Sequence, residues 1–159
     1  MSVVFREATV SDAKELANSL RNEDRHELEL WSSISAEDEL VESINGSDFA
    51  LSAYSEDGTL LSLFGVDCRL GMCGNVWMLS GQGVERWKKS FLQGSRVALD
   101  ECLKRSSRAR ILIAYTDIGY QRALRWMGWL GFFEAGLRIA GKNGGCFVQM
   151  AIVNQYYRR

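Results

Sequence analysis

The chain contains no proline, no low-complexity tract and no internal repeat. Nothing in it therefore reads as an interdomain linker, and residues 1–159 are taken as one domain. It has a single histidine, His26, far along the chain from its four cysteines. The pair Cys68-x4-Cys73 thus lacks both the shorter spacing and the second ligand pair of a zinc site, and no metal is expected. No apolar run approaches the roughly 18 residues that a membrane span requires. The start, MSVVFREATVSD, meets acidic side chains at once and carries no signal-peptide core. The expectation is a cytoplasmic protein whose Cys68, Cys73, Cys102 and Cys146 are free thiols. Net charge is also nearly absent: 19 basic residues against 20 acidic ones leave −1. No global field draws the chain to nucleic acid, which leaves the basic segment Lys104-Arg105, Arg108 and Arg110 with little support as a binding strip.

What is present is a quarter charged and nearly half hydrophobic, the balance of an ordinary globular domain. Val3 to Ala8 alternates as an edge strand does. Thr9 and Ser11-Asp12 offer caps to a helix with Ala13, Leu16, Ala17 and Leu20 on one face. Residues 22–34 are charged and then aromatic, a loop or short helix; SAEDELVESINGS opens on a serine cap and stops at Asn45-Gly46. Two strands flank a hairpin at Glu56-Asp57-Gly58, and a third covers 74–80. A helix follows with Trp87, Phe91, Ser95, Ala98, Leu99 and Cys102 on one face, then a buried-type strand, ARILIAY, at 109–115. The chain closes with a helix, a strand from Phe132 and a hairpin turning at 141–145. This mixed alternation predicts an α/β (α+β) sheet covered by helices.

The stretch RALRWMGWLGFFEA, 122–135, decides whether that last helix seeks a membrane or a core. On a helical wheel Ala123, Met127 and Leu130 align, Leu124 and Trp126 flank them, and Trp129 falls at the rim. The segment passes straight into a strand, so it has no long apolar face to insert, and a core helix is expected. Gly128 costs about 1 kcal/mol relative to alanine inside a helix, which suggests close packing there. Gly94 reads as a packing position on the preceding helix.

The order of elements resembles the GCN5-related N-acetyltransferase (GNAT) superfamily. The likeness covers nearly the whole chain and is strongest at 120–132, where Tyr120-x-x-Ala123-x-x-x-Met127-x-x-x-Gly131-Phe132 stands against the family pattern Asn-x-x-Ala-x-x-x-Tyr-x-x-x-Gly-Phe. Alanine, glycine and phenylalanine match; asparagine and tyrosine do not. A nearer likeness, to acetyltransferase-like internal virion proteins of short-tailed coliphages, rests on four stretches. These are Asp24-x-x-Glu27, Val76-Trp77-Met78-Leu79, Phe91-Leu92-x-x-Ser95-Arg96 and Leu124-Arg125-Trp126-Met127-x-Trp129-Leu130-Gly131-Phe132.

The resemblance implies a GNAT-like mixed central sheet of six to seven strands flanked by about four helices. It also implies acetyl-CoA as cofactor, held in a gap between splayed strands along the fourth strand by Met78, Leu79 and Ser80. The family's phosphate loop, Gln/Arg-x-x-Gly-x-Gly/Ala, has no match: Gly81 and Gly83 come too early, and Trp87, Lys88 and Lys89 stand where glycines belong. Arg86, Lys88 and Lys89 either replace amide contacts with charged ones or are solvated surface charges. Met127 replaces the tyrosine that serves many of these enzymes as acid, which leaves Tyr115 and Tyr120 as substitutes or as half-buried aromatics with wet hydroxyls. Asp117 reads as a helix cap.

Asp24 and Glu27 share a helical face and are candidate bases, or belong to a surface charge cluster with Arg21, Arg25 and His26. Two functions follow. One is acetyl transfer to a protein or small-molecule amine. The other is a non-catalytic virion component or host-protein modulator, with Trp31, Trp126, Trp129 and Tyr156-Tyr157 as a partner or dimer surface.

Overall fold

A computed structural model describes residues 2–159. Seven strands and five helices follow the chain as β1 Val4–Glu7, α1 Val10–Asn18, α2 Asn22–Trp31, α3 Ala36–Gly46, β2 Phe49–Tyr54, β3 Leu60–Leu70, β4 Cys73–Ser80, α4 Lys88–Arg105, β5 Ile111–Asp117, α5 Gln121–Leu130, β6 Phe133–Gly141 and β7 Gly144–Val153. A 3-10 turn, Gln82–Glu85, joins β4 to α4. The charged 22–34 stretch is thus mostly helix, adding a helix to the expected four.

One sheet, ordered β1-β2-β3-β4-β5-β7-β6, holds all seven strands. Every neighbouring pair is antiparallel except β4 and β5, which are parallel. Strand alternation sends Leu63 and Leu79 towards α1–α3, where Ala13, Leu16, Leu28 and Leu40 cover them. Leu51, Phe64, Val66 and Leu112 point the other way, against Ala98, Cys102 and Leu103 of α4. Ala114, Val148 and Met150 meet Met127 of α5 on that second face. The three layers so formed fix the ends of β4 and β5 between α2 on one side and α4 and α5 on the other. Among the described residues no helix is long and apolar enough to cross a membrane.

Local chemistry sets the helix ends. Thr9 accepts from the Asp12 amide while the Asp12 carboxylate accepts from the Thr9 amide, a reciprocal capping box. Ser35 caps α3 by accepting from the Asp38 amide. Gly131, at φ +110°, takes the left-handed turn that ends α5, a conformation costly for any residue with a Cβ. A Cβ on Gly94 would come within 3.1 Å of Val3, as expected of a packing position. Gly128 differs from expectation: a Cβ there meets nothing, so no close packing explains that glycine.

Asp12 also ties α1 to the sheet, since Ser52 donates to it at 2.7 Å and Tyr54 donates to its other oxygen. Burial opposes its ionisation, yet Tyr54, Ser52 and Thr9 together hold the carboxyl below its ordinary range. Replacing it strands two hydroxyl donors beneath α1. Asp12→Ala is expected to lower unfolding free energy by about 3 kcal/mol in urea titration. A loss below about 1 kcal/mol is inconsistent with that tie.

Candidate active site

β4 and β5 pair only where Cys73 to Asn75 lie beside Ile111 to Ile113. Beyond that point the strands separate, leaving a cavity of about 640 Å³ that opens through the sheet. The separation leaves two rows of backbone groups without a neighbouring strand, which must be satisfied otherwise. At the far end of each row the acceptor is a carboxylate of α2. Asp24 accepts from the Ser80 amide of β4 at 2.6 Å, and Glu27 accepts from the Asp117 amide of β5 at 3.0 Å. The Ser80 carbonyl in turn accepts from the Arg21 amide at 3.0 Å. The three-residue spacing of Asp24 and Glu27 therefore makes α2 a wedge, one carboxylate on each splayed strand.

Both groups of Ser80 face the gap, so strand alternation turns the N–H and C=O of Met78 into it as well, where β5 no longer pairs with them. Met78, Leu79 and Ser80 all line the cavity.

Asp24 is buried and also accepts from the Tyr120 hydroxyl at 2.6 Å. Burial pushes its carboxyl above the usual range, against the pull of Tyr120, the Ser80 amide and Arg21. Burial, and then the neighbouring carboxylate, raise the Tyr120 phenol far above a normal tyrosine. Tyr120 therefore keeps its proton and acts as a donor to Asp24. Glu27 lines the same cavity, and burial pushes it up to about 8, aided by nearby Asp24 and Asp117 and opposed by the Asp117 amide. Among the described residues no ion pair compensates Glu27. His26, on the same helix, is exposed.

Tyr115 lines the cavity from β5, stacked on Trp31 at 5.9 Å. Its hydroxyl oxygen accepts from Gln149 at 3.1 Å, which leaves its own proton available. Met127 is buried, and its sulfur accepts from the Thr116 hydroxyl at 3.2 Å. The position of the expected tyrosine is closed by this contact. Asp117 differs from its expected role as a cap of α5. Its carboxylate accepts from the Gly119 and Cys146 amides at 3.1 and 3.2 Å, while the α5 N-cap, Tyr120, makes no side-chain cap.

The segment between β4 and α4 shows why the glycine loop is missing. The amides of Gly81, Gln82, Val84, Arg86 and Trp87 already donate to protein carbonyls. A Cβ on Gly81 or Gly83 would strike Leu16 or Thr59, so these glycines serve packing rather than a phosphate cradle. Of the three basic residues singled out from the sequence, only Lys88 reaches the cavity wall. Arg86 lies 4.0 Å from Asp57 and over the Trp87 ring, and Lys89 is exposed on the helix. The other cations at the cavity are Arg21, Arg122 and Arg125, which sequence reasoning did not select for this role, together with the more distant Arg69. Helix starts next to strand ends were the available signal: Arg21 immediately precedes α2 and Arg122 lies in the first turn of α5.

On the α2–α3 side the wall is acidic. Glu27, Glu39, Glu42 and Asp67 line it with Trp31 and Trp77. Asp67 is paired with Arg69, and Glu39 accepts from Ser32, but Glu39 and Glu42 lack ion pairs among the described residues. The cavity is thus electrically two-ended.

Of the remaining candidates, Trp31 and Trp126 line the cavity, whereas the basic segment and Trp129 do not. Lys104 and Arg105 are committed to Asp100, Glu101 and Glu7. Trp126 donates to Ser95 and Trp129 lies under Arg96 at 4.0 Å, both on the α4–α5 face, whereas Trp31 stands on the opposite one. The tryptophans therefore form no single patch.

Solved structures share this fold. Spermidine N-acetyltransferase from Vibrio cholerae, in complex with CoA and spermine, superposes with a TM-score of 0.71 at 15% identity, covering 98% of each chain. The fold is that of a GCN5-related N-acetyltransferase. A phenylalanine-to-glycine variant of the Vibrio cholerae enzyme gives 0.69 at 15% identity over 98% of this chain and 96% of its own. Glutamate-to-glutamine forms of the same enzyme give 0.68 at 14% identity over the same shares. No protein-family model and no curated protein sequence matches the chain. In this GNAT fold the parting of β4 and β5 is the feature that the resemblance in element order anticipated.

Proposed function

We propose that the chain binds acetyl-CoA in the gap between β4 and β5 and transfers the acetyl group to an amine of a cationic, polyamine-like acceptor. The observation that carries this reading is the two-ended cavity: basic side chains at the α4–α5 end, Glu39 and Glu42 without ion pairs among the described residues at the α2–α3 end, and between them strand backbone that β4 and β5 no longer pair. Vibrio cholerae spermidine N-acetyltransferase, bound to CoA and spermine, supports it by fold.

The residues fit the cofactor. Met78 would hold an extended amide-bearing arm as a missing strand would, through its N–H and C=O. Arg21, Lys88, Arg122 and Arg125 would hold phosphates by charge-assisted bonds in place of loop amides. The first turn of α4 contains no acidic residue, and among the described residues the Lys88 and Lys89 amides have no backbone acceptor, which suits an anion. When bound, acetyl-CoA supplies an acyl group already activated as a thioester.

The protein does the rest. Glu39 and Glu42 attract the acceptor's ammonium groups, and Trp31 and Trp77 give its aliphatic chain an apolar floor. A protonated amine cannot attack a carbonyl, so Glu27 takes its proton. Asp24 and Tyr120 lock the end of β4 to α5 and keep the reacting geometry. Tyr115, whose hydroxyl accepts from Gln149, offers its own proton to the thiolate that leaves as the amine nitrogen replaces sulfur on the acetyl carbonyl.

Incubation with acetyl-CoA and spermidine, putrescine, a lysine peptide or a neutral amine tests the reading. Acetylated polyamine detected by mass spectrometry, with matching thiol release, is the expected result. No product above the blank from any amine at pH 7–9 contradicts it. A non-catalytic reading, as a phage virion component or host-protein modulator, draws on Met127 and its closed contact with Thr116. CoA binding without acetylation of any amine favours that reading.

A further inference from the structure

Glu85 stands at the rim of the basic end, on the 3-10 turn just before α4. Its carboxylate lies 2.9 Å from Arg21, 3.1 Å from Lys88 and 3.3 Å from Arg122. These three cations come from the starts of three different helices, α2, α4 and α5. None of those starts has a side-chain cap, whereas α1 and α3 are capped by Thr9 and Ser35. Three uncapped helix ends and three cations thus surround one carboxylate. The Nε of Arg21 is buried without a hydrogen-bond partner, so Glu85 does not exhaust the donors gathered there. Glu23 lies farther off, 3.9 Å from both Arg21 and Arg122.

We propose that Glu85 is a resident anion in the phosphate seat, a residue that sets how tightly and how selectively the phosphorylated arm of CoA is held. Resting on the acetyl-CoA reading above, the inference goes beyond it by assigning an opposing role to a residue of this chain. A phosphate entering the seat competes with the Glu85 carboxylate for Arg21, Lys88 and Arg122, and displaces it into solvent. Glu85 therefore costs affinity for a polyanionic ligand. Meanwhile it keeps the three cations gathered and prevents their mutual repulsion when the seat holds no phosphate. Its own ionisation is secured by the same partners: Lys88, then Arg21 and Arg122, hold the carboxyl below its usual range against a smaller effect of burial.

The test is calorimetry of wild type and E85Q with CoA, dephospho-CoA and pantetheine, after circular dichroism has established that both are folded. E85Q should bind CoA about tenfold more tightly at low ionic strength, with the gain shrinking at about 0.5 M salt as charges are screened. Pantetheine, which lacks phosphate, should bind both proteins alike. R122A should weaken CoA binding in either background. Equal, measurable CoA affinity in wild type and E85Q overturns the role of Glu85 while leaving the acetyl-CoA reading intact. An equal gain for pantetheine does the same. Absence of CoA binding by both folded proteins overturns the two together.

Discussion

Glu27→Gln should lower kcat for amine acetylation by about a thousandfold while leaving the fold in place. Gln can still accept from the Asp117 amide, so the strut to β5 survives and only the basicity is removed. The wild-type profile should carry the mark of a carboxyl raised to about 8. Below that pH the group is protonated and cannot accept the amine's proton, so kcat/KM should rise with pH and level off above about 8. In E27Q this limb should vanish. Stability moves in the opposite direction: the native protein binds the Glu27 proton more tightly than the unfolded chain does, so wild type loses stability as pH rises from the ordinary glutamate range through about 8. E27Q should be flatter over that window and more stable than wild type at its upper end. A rate within threefold of wild type, with the same pH limb, rules out Glu27 as the base.

Asp24→Ala should be the most destabilising change at the site. It leaves the buried Ser80 amide and the part-buried Tyr120 hydroxyl without their acceptor and removes the link between β4, α2 and α5. Leaving buried donors unpaired costs on the order of 3 kcal/mol in total, less whatever is recovered by releasing a carboxylate that burial disfavours. Urea unfolding should show that loss, and D24N should lose less because its carbonyl oxygen retains one donor. A shift in Asp24→Ala of less than about 0.5 kcal/mol means that Asp24 is not a strut.

The shape of the molecule was readable from local rules, because caps, alternation and helical faces act over a few residues. Thr9, Ser35 and the inward face of α5 are where those rules place them. The pairing of Asp24 with Glu27 on one face was also visible in their spacing. Their partners were not, because Ser80 and Asp117 lie 56 and 90 residues away and only the splay of β4 from β5 brings their amides to α2. The basic end illustrates a finer point of phase. Lys88 shares a helical face with Phe91, Leu92 and Ser95, all at the cavity, whereas Lys89 is turned away and Arg86 precedes the helix. That distinction was available from the sequence once the helix start was known. Arg21 and Arg122 were marked only by their places at helix starts, and their convergence with Arg125 depends on α2 and α5 beginning beside the same strand ends.

Backbone amide spectra of the protein titrated with acetyl-CoA address the central claim most directly. Saturable shifts centred on Met78 and its neighbours in β4, with the first turn of α4 following, are the result that the open gap predicts. If the β4 amides stay unmoved at millimolar acetyl-CoA, the gap is not a cofactor site and the proposed chemistry falls with it.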